Sequence, residues 1–207
     1  MFKYKKKPSL TVHDPFFVQT VKIKKIANRL EFFHLYCAGK SVLHFGCTDY
    51  PIFNPSRNLH IQLNTYIDDL HGFDIDEKGI EVLKQYVDKP YYINIDQVTS
   101  KYFDVCLIPE TIEHVDNVKE FLSEVSQLNC NTFIITGPNC FAPEHVERNT
   151  WNGDNFKEIV HPDHNCWFSA YTLNNVINKY TQLEVDATYL LEQDTMVAVV
   201  CTKKAQP

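Results

Sequence analysis

The sequence lacks long apolar runs, a signal peptide and low-complexity tracts. No run among its 207 residues approaches the ~18 apolar residues that a membrane helix needs. The amino terminus, Met-Phe-Lys-Tyr-Lys-Lys-Lys-Pro, has none of the apolar stretch that directs secretion. Glycine is scarce, with six residues, and neither an internal repeat nor a linker between domains is visible. We therefore expect a soluble, cytoplasmic protein without a membrane span.

The cysteines form no disulfide framework. Seven are spread along the chain without a repeating spacing, and several stand in apolar runs such as Val-Cys-Leu and Val-Cys-Thr, which are typical of buried strands. We expect reduced thiols in the core of a cytosolic protein.

Composition and charge limit the class of protein. With 44% hydrophobic and 22% charged residues, the chain is neither fibrous nor disordered, and it has the size of one domain. The net charge is −6, but residues 1–30 hold eight Lys or Arg and one acid, so they carry +7 and leave −13 for the rest. An acidic body argues against nucleic acid as a partner. We divide the chain into a basic arm, 1–15, and a single domain, 16–207. The arm either meets a phosphate-bearing substrate or an anionic surface, or it is a solvated, partly frayed terminus.

Strand and helix patterns alternate along the chain. An amphipathic helix is predicted over 16–36, ahead of the first strand. Helices are also predicted at 77–86, 117–128 and 170–180, with caps at Asp76, Asp116 and Ser169. Strands are predicted at 41–45, 70–74, 91–95, 103–108, 132–136, 183–190 and 195–202. The alternation predicts an α/β fold with a mainly parallel sheet covered on both faces, and the short final connection predicts an antiparallel last strand.

The first strand ends at a turn that could meet a ligand. It runs directly into Gly46, Cys47, Thr48, Asp49 and Tyr50. In an open parallel sheet, ligands bind outside the carboxyl ends of the strands, where the strand order reverses. A glycine there lets the backbone approach a ligand without a Cβ in the way, although a bare turn explains a single glycine equally well.

Acidic residues end the second strand as the chain enters a helix. Asp74 stands 28 residues after Gly46 in a β-α-β context, where a carboxylate can accept hydrogen bonds from both hydroxyls of a ribose. Asp76 fits a helix cap, and capping is the alternative for Asp74 as well.

Four segments, in this order, resemble the motifs of class I S-adenosylmethionine (SAM)-dependent methyltransferases. They are Val-Leu-His-Phe-Gly-Cys, Gly-Phe-Asp-Ile-Asp, Phe-Asp-Val-Cys-Leu-Ile-Pro-Glu-Thr-Ile-Glu-His-Val and Phe-Ile-Ile-Thr-Gly-Pro-Asn. The resemblance covers residues 40–201, and four ordered motifs are more specific than one. It implies a Rossmann-like three-layer sandwich with a mainly parallel seven-stranded sheet, the last strand antiparallel, and transfer of a methyl group from SAM.

The resemblance also implies a cofactor site. The loop at Gly46 would line the methionine part of SAM, Asp74 the ribose, and Asp96 with Gln97 the adenine. The implied cofactor-binding residues are His44, Gly46, Cys47, Asp74, Ile75, Asp96, Gln97, Pro109 and Glu110.

The first motif departs from the usual pattern. His44 stands where an acid is usual, and Thr48 and Tyr50 stand where further glycines are usual, so the loop takes another path or holds the cofactor less closely. The Leu-His-x-Gly-Cys segment is similar to methyltransferases found with surface-polysaccharide enzymes. A non-catalytic subunit with this fold is a second hypothesis. A nicotinamide-dependent oxidoreductase is a third, but it should show spaced glycines that cradle a pyrophosphate.

Three residues are candidates for catalysis. Methyl transfer needs an aligned acceptor and, for a hydroxyl, a base with a near-neutral pKa. His114, with Glu113 beside it, and His164 fall where the family places acceptor-facing residues. Alternatively, Glu113 and His114 order a loop, and His164 is a surface imidazole.

A divalent metal is an alternative to a metal-free base. The pattern of Glu110, Glu113 and His114 with the later His164 resembles the metal site of small-RNA 3′-end 2′-O-methyltransferases and of some quinone-pathway O-methyltransferases. Two acids and two imidazoles can hold a Mg²⁺-like or softer ion. The same Glu-His pair also occurs in relatives without a metal. His161 and His164 alone lack a second ligand pair.

The segment 140–167 is expected to select the substrate. It is long for a loop, follows the fifth strand and is expected to close over the cofactor. It contains four large aromatic residues: Phe141, Trp151, Phe156 and Trp167. With its polar side chains, these suit a small hydroxylated acceptor, sugar- or nucleotide-like, which could bear a phosphate. They suit a partner chain or the core as well, and the sequence leaves the oligomeric state open.

Overall fold

The computed structural model describes residues 18–204, so the basic arm predicted at 1–15 lies outside the described residues. The strands are β1 (Ile23–Ile26), β2 (Ser41–Phe45), β3 (Asp69–Phe73), β4 (Tyr91–Tyr92), β5 (Tyr102–Ile108), β6 (Asn129–Pro138), β7 (Thr150–Asn152), β8 (Asn155–Lys157), β9 (Leu183–Leu191) and β10 (Met196–Lys203). The helices are α1 (Arg29–Cys37), α2 (Leu59–Leu63), α3 (Glu77–Leu83), α4 (Asp96–Thr99), α5 (Val118–Val125), α6 (Pro143–Arg148) and α7 (Ala170–Tyr180).

Eight strands form the main sheet, in the order β1-β9-β10-β6-β5-β2-β3-β4. The strand β10 is antiparallel to β6 and β9, and the other neighbouring pairs are parallel. The α/β class, the mainly parallel sheet and the antiparallel last strand are therefore confirmed. From β2 the chain adds β3 and β4 on one side and then β5 and β6 on the other, so the strand order reverses between β2 and β5.

The predicted count of seven strands is wrong, because the segment 16–36 is not one helix. Its described part contains β1, which pairs in parallel with β9 and places Ile23 opposite Thr188. Asn28 then begins α1 by accepting hydrogen bonds from the backbone N–H groups of Leu30 and Glu31. The mixed spacing of apolar residues fitted a helix, but the pairing with β9 overrides that local signal.

A second correction concerns a helix cap. The cap of α5 is Asn117 rather than Asp116, because the Asn117 side chain accepts from the N–H groups of Lys119 and Glu120. Asp76 and Ser169 cap α3 and α7 as predicted.

Helices cover both faces of the main sheet. On one face α5 and α7 bury Leu122 and Leu173 against the sheet, and on the other α1 and α2 bury Phe33 and Leu63. Each such side chain contributes roughly 1.5–3 kcal/mol when fully buried, so apolar burial holds the three layers together. All seven cysteines are free thiols, and five of them are buried.

Within residues 18–204, no helix has both the length and the apolar character that crossing a membrane requires.

Candidate functional site

A cavity of about 1090 Å³ lies at the carboxyl ends of β2, β3 and β5. Its walls are formed by the loops that follow these strands, by Arg29 of α1, and by His161 and His164. This is where the strand order reverses, which is the place where open α/β sheets bind their ligands.

Gly46, directly after β2, is fixed both by its conformation and by its packing. Its φ is 75°, in the left-handed region that favours glycine. A Cβ at this position would lie 2.4 Å from Oγ1 of Thr111, in the loop after β5. The Gly46 N–H also donates to the carbonyl of Phe73 at 2.8 Å. Gly46 therefore joins the ends of three strands, and a larger residue would push them apart.

Thr48 stands where a glycine is usual and ties the first loop to Asp74. Its backbone N–H and its hydroxyl both donate to Oδ2 of Asp74, at 2.9 Å each. The N–H of Asp76 donates to Oδ1 at 3.0 Å. Gly79 in α3 accommodates the bulk of Thr48, since a Cβ there would lie 2.7 Å from the threonine hydroxyl. Asp74 thus accepts three hydrogen bonds within the chain, which leaves about one of its roughly four acceptor positions for a ligand.

His44 lies in the cavity wall, and its ring contacts a second buried histidine. Its Nδ1 lies 3.0 Å from Nδ1 of His60, and the two rings stack with their centroids 5.2 Å apart. Burial lowers the pKa of His44 well below its usual value and the pKa of His60 to about 3. The acid that is usual at this position is therefore replaced by a neutral imidazole.

Arg29 brings a positive charge into the cavity wall. Its NH1 lies 3.2 Å from Oε2 of Glu110, a residue with a left-handed φ of 44°. Burial raises the pKa of Glu110, and the Arg29 guanidinium opposes this shift. Burial likewise raises the pKa of Asp49, and both a hydrogen bond from Asn58 and the charge of Arg29 lower it. One guanidinium thus acts on two carboxyl groups of the wall.

Glu113 is a buried carboxyl group that accepts no hydrogen bond from any other residue in the range 18–204. The residue is 1% exposed, and neither of its carboxyl oxygens is paired. Burial raises the pKa of Glu113 to about 8, so the group is largely protonated at neutral pH. An unpaired buried acid costs stability, and groups with such shifted pKa values concentrate at functional sites.

Three histidines gather at the rim of the cavity. One nitrogen from each of His114, His161 and His164 lies within 4.8 Å of the other two. The Nδ1 of His114 is 3.0 Å from Oδ2 of Asp163. The Nδ1 of His164 is buried and has no hydrogen-bond partner. Burial lowers the pKa of His164, and the two neighbouring imidazoles lower it further.

Asn165 holds the two histidine-bearing loops together. Its backbone N–H donates to the Glu113 carbonyl at 2.7 Å, and its side-chain Nδ2 donates to the His114 carbonyl at 3.0 Å. Next to it, the thiol of Cys166 points to the carbonyl of Ile112 at 3.8 Å. The relative position of the imidazoles is therefore set by the backbone and does not depend on contacts between the rings.

Most of the predicted site residues line this one cavity. They are His44, Gly46, Asp74, Ile75, Pro109, Glu110, Glu113, His114 and His164. Cys47, in the first loop, is 1% exposed and is not part of the lining. Asp96 and Gln97 begin α4 and are not part of the lining; Oε1 of Gln97 accepts from the N–H groups of Ile93 and Asn94.

The cavity lining also contains residues that the sequence analysis did not identify as site residues. They include Arg29, Thr48, Asp49, Arg57, Thr111, His161 and Asp163. The altered glycine positions were a signal for Thr48. No spacing rule connects Arg29 with Glu110, which are 81 positions apart.

Most of the segment 140–167 lies away from the cavity. Its strands β7 and β8 form a two-stranded hairpin, on which Trp151 is 73% exposed and Phe156 is 50% exposed. From 161 onward the chain returns to the cavity wall through His161, Asp163 and His164. Closure of this segment over a cofactor stays a prediction.

No family model matches the sequence, and no curated protein matches it.

Several solved structures of methyltransferases have a similar fold. A SAM-dependent methyltransferase from Archaeoglobus fulgidus matches with a TM-score of 0.57 and 16% identity, over 84% of this chain and 91% of that one. A SAM-dependent methyltransferase from Mesorhizobium loti matches with a TM-score of 0.56 and 12% identity, over 84% and 96%. The N-methyltransferase NodS from Bradyrhizobium japonicum, in complex with S-adenosyl-L-homocysteine, matches with a TM-score of 0.55 and 11% identity, over 86% of each chain. At such identities the similarity shows the fold, which is that of SAM-dependent methyltransferases.

Proposed function

We propose that the protein is a SAM-dependent methyltransferase that acts on a hydroxyl or amine of a small molecule. The observation that carries this proposal is the cavity at the reversal of strand order, with Gly46 and Asp74 at its base in a fold of the methyltransferase type. The fold alone does not assign a function, so the proposal depends on the side chains of this cavity.

The cavity residues fit SAM, but the Asp74 carboxylate has to accept hydrogen bonds from both the chain and the ribose. The Asp74 carboxylate has about one acceptor position left for a ribose hydroxyl, and a second bond to the ribose requires the Thr48 hydroxyl to turn away. Exposed Ile75, in the lining, offers an apolar surface to the adenine. Asp49 and Arg29 supply opposite charges for the ammonium and carboxylate of the methionine part. Asp96 and Gln97 remain proposed contacts to the adenine.

The reaction asks the protein for alignment and for one proton acceptor. When bound, SAM supplies a methyl group on a sulfonium: the acceptor atom bonds to this carbon while the carbon–sulfur bond breaks and sulfur keeps the electron pair. A hydroxyl acceptor also releases a proton, and His114 and His164 lie in the same cavity wall to receive it. Glu113, buried beside His114, is a further group of this wall that can exchange a proton.

The acceptor is proposed to be a hydroxylated, sugar- or nucleotide-like small molecule. The acidic body of the chain disfavours polyanionic nucleic acid. The acceptor side of the cavity carries imidazoles and carboxyl groups, which suit hydroxyl groups better than apolar rings.

Calorimetric titration of the purified protein with SAM and with S-adenosylhomocysteine tests the proposal. We expect low-micromolar binding, roughly −8 kcal/mol, and a loss of at least about tenfold in Asp74→Ala, which equals about 1.4 kcal/mol. The matched control is Asp68→Ala, because Asp68 is an exposed acid just before the other end of β3. Unchanged affinity in a folded Asp74→Ala variant would show that the ribose lies elsewhere. No binding to the folded wild-type protein would leave a non-catalytic scaffold with this fold.

A further inference from the structure

The three histidines at the cavity rim form a more compact group than the sequence pattern indicates. Ring centroids of His114 and His164 are 4.6 Å apart, and His161 lies 5.5 Å from each of them. No hydrogen bond joins these rings to one another among the described contacts. The rings meet mainly edge to face, which is a weak attraction, and any protonation makes them repel.

The distances suit a shared metal ion. Zinc binds imidazole nitrogen at about 2.0–2.1 Å, which places two such nitrogens about 3.3 Å apart in a tetrahedral site. Nitrogens within 4.8 Å of one another are at most about 1.5 Å farther apart than this, a gap that side-chain rotation would have to close. Imidazole is a preferred ligand of zinc, iron, copper and nickel.

A carboxylate supports one of the three rings from outside. Asp163 accepts from Nδ1 of His114 at 3.0 Å, which leaves Nε2 of His114 for a ligand. Such carboxylate–histidine pairs orient metal-bound imidazoles and raise their basicity. Nδ1 of His161 accepts a hydrogen bond from the Asp163 N–H at 3.2 Å. If Nε2 bound the ion, Nδ1 would carry the ring proton and could no longer accept this bond.

Two further observations point to a ligand at this rim. The Nδ1 of His164 and both carboxyl oxygens of Glu113 are buried without partners, and both residues line the same cavity. Buried polar atoms are nearly always paired, and these three stand together with Nε2 of His44 among the unpaired atoms of the cavity lining, so they can still pair with a ligand. Asn165 holds the loops in register without any ion, so the site is preformed.

We propose that His114, His161 and His164 form a binding site for a divalent transition-metal ion such as Zn²⁺, with Asp163 as the outer partner of His114. Three protein ligands leave at least one coordination position open to a substrate oxygen. The metal site is independent of the proposed function. Only its role in binding an acceptor hydroxyl rests on that function.

This ligand set differs from the one suggested by the sequence, which used Glu110, Glu113, His114 and His164. In the structure Glu110 pairs with Arg29, and the exposed His161 takes its place near the other imidazoles. His161 therefore distinguishes the two sets.

The test is titration of the full-length, chelator-treated protein with Co²⁺ and Zn²⁺. Calorimetry would count the ions, and the visible absorption of bound Co²⁺ would report its ligands. We expect one ion per chain, loss of binding in His114→Ala, His161→Ala and His164→Ala, and about 10–100-fold weaker binding in Asp163→Asn. The matched control is His145→Ala, because His145 contacts Trp167 edge to face outside the three-nitrogen group and its loss should leave binding intact.

The outcomes separate this site from its alternatives. Circular dichroism and SAM titration on each variant would show that the fold and the cofactor site persist, so failure of the metal site and failure of the proposed function give different results. No stoichiometric ion in the folded wild-type protein would overturn the site. Binding that survives His161→Ala but is lost in Glu110→Gln would overturn the ligand set in favour of the one suggested by the sequence.

Discussion

The loops after β2 and after β5 form two walls of one cavity, which meet at Gly46 and Thr111, and they differ in how their polar groups are satisfied. In the first loop, 46–50, the Thr48 N–H and hydroxyl bond to Asp74, and the Asp49 carboxylate accepts from Asn58. In the second, 109–116, Glu113 is buried with both oxygens unpaired. The first loop thus pairs these polar groups within the chain, whereas the second leaves a buried carboxyl group unpaired.

This difference indicates at which wall a bound ligand gains more free energy from hydrogen bonds. A ligand at the first loop must compete with hydrogen bonds that the chain already makes, so it gains only the excess over them. A ligand at the second wall pairs atoms that are otherwise buried at a cost. We infer that the first wall sets the affinity for the cofactor and that the second sets the choice of acceptor and the chemistry.

Removing an imidazole from the second wall should have the largest effect on turnover. We expect His114→Ala to lower kcat by about 10²–10⁴-fold if its imidazole accepts the proton, because proton transfer by a positioned side chain contributes this much. If His114 instead holds the proposed ion, its loss lowers kcat through loss of that ion, and added Zn²⁺ changes the activity of the wild type but not of the variant. SAM affinity should persist, because Asp49, Asp74 and Ile75, which are proposed to hold the cofactor, belong to other loops. The measurement is kcat with an acceptor identified by screening with methyl-labelled SAM, and His145→Ala is the control. Full activity in both His114→Ala and His164→Ala would leave alignment as the catalytic device.

Disturbing the junction of the two walls should mainly affect stability. We expect Gly46→Ala to lower the free energy of unfolding by roughly 2–5 kcal/mol, from the left-handed backbone and the overpacking against Thr111. Gly39→Ala is the matched control, because Gly39 has a φ of 69° but nothing within 4 Å of the added Cβ. It should lose only roughly 1–2 kcal/mol. If urea titrations show equal losses in the free energy of unfolding for the two variants, the Thr111 side chain moves aside at no cost.

The buried pair of His44 and His60 should make stability depend on pH. Both pKa values are lowered in the folded protein, while the unfolded chain protonates near ~6.5. Stability is therefore full above about pH 6.5 and falls as the pH drops, by about 1.4 kcal/mol per pH unit for each histidine kept neutral. Urea titrations between about pH 6.5 and 5 should show a smaller slope in His60→Gln, while the exposed His34→Gln retains the wild-type slope. An unchanged slope in His60→Gln would contradict a neutral pair.

The smallest expected effect tests competition at the first wall. Thr48→Val keeps the shape that packs on Gly79 but removes the hydroxyl that bonds to Asp74. This frees an acceptor for the ribose, so we expect SAM to bind about 2–10-fold tighter, up to about 1.4 kcal/mol. Weaker binding in calorimetry would show instead that Thr48 positions Asp74 for the cofactor.

The fold could be predicted where local patterns and burial agree. Ser41–Phe45 is a strand in both the prediction and the structure, because it is an apolar segment in the middle of the sheet. The strand Ile23–Ile26 was missed because three of its four residues are exposed and its pairing partner is in β9. A strand at a sheet edge leaves little pattern of its own, so only tertiary pairing defines it.

The site could be predicted only in part, for a related reason. Gly46, Asp74 and His114 directly follow strands, and the carboxyl ends of parallel strands meet at one edge, so their gathering follows from the topology. Arg29 enters the cavity only because β1 and α1 are held beside β9. His161 joins His114 through the hydrogen bonds of Asn165 across two loops, and no sequence spacing encodes these contacts.

The pairing of β1 with β9 has a consequence for folding during synthesis. The Arg29 N–H bonds to Glu192, 163 positions later in the chain, and Lys25 bonds to Asp194 in the same turn. Contacts of such long range form late, because loop closure must precede any gain from them. At synthesis rates of roughly 5–20 residues per second, the amino-terminal strand waits many seconds for its partner. The cavity wall that carries Arg29 is therefore the last to be assembled. A nascent chain cannot form the complete site before the β9–β10 hairpin has left the ribosome.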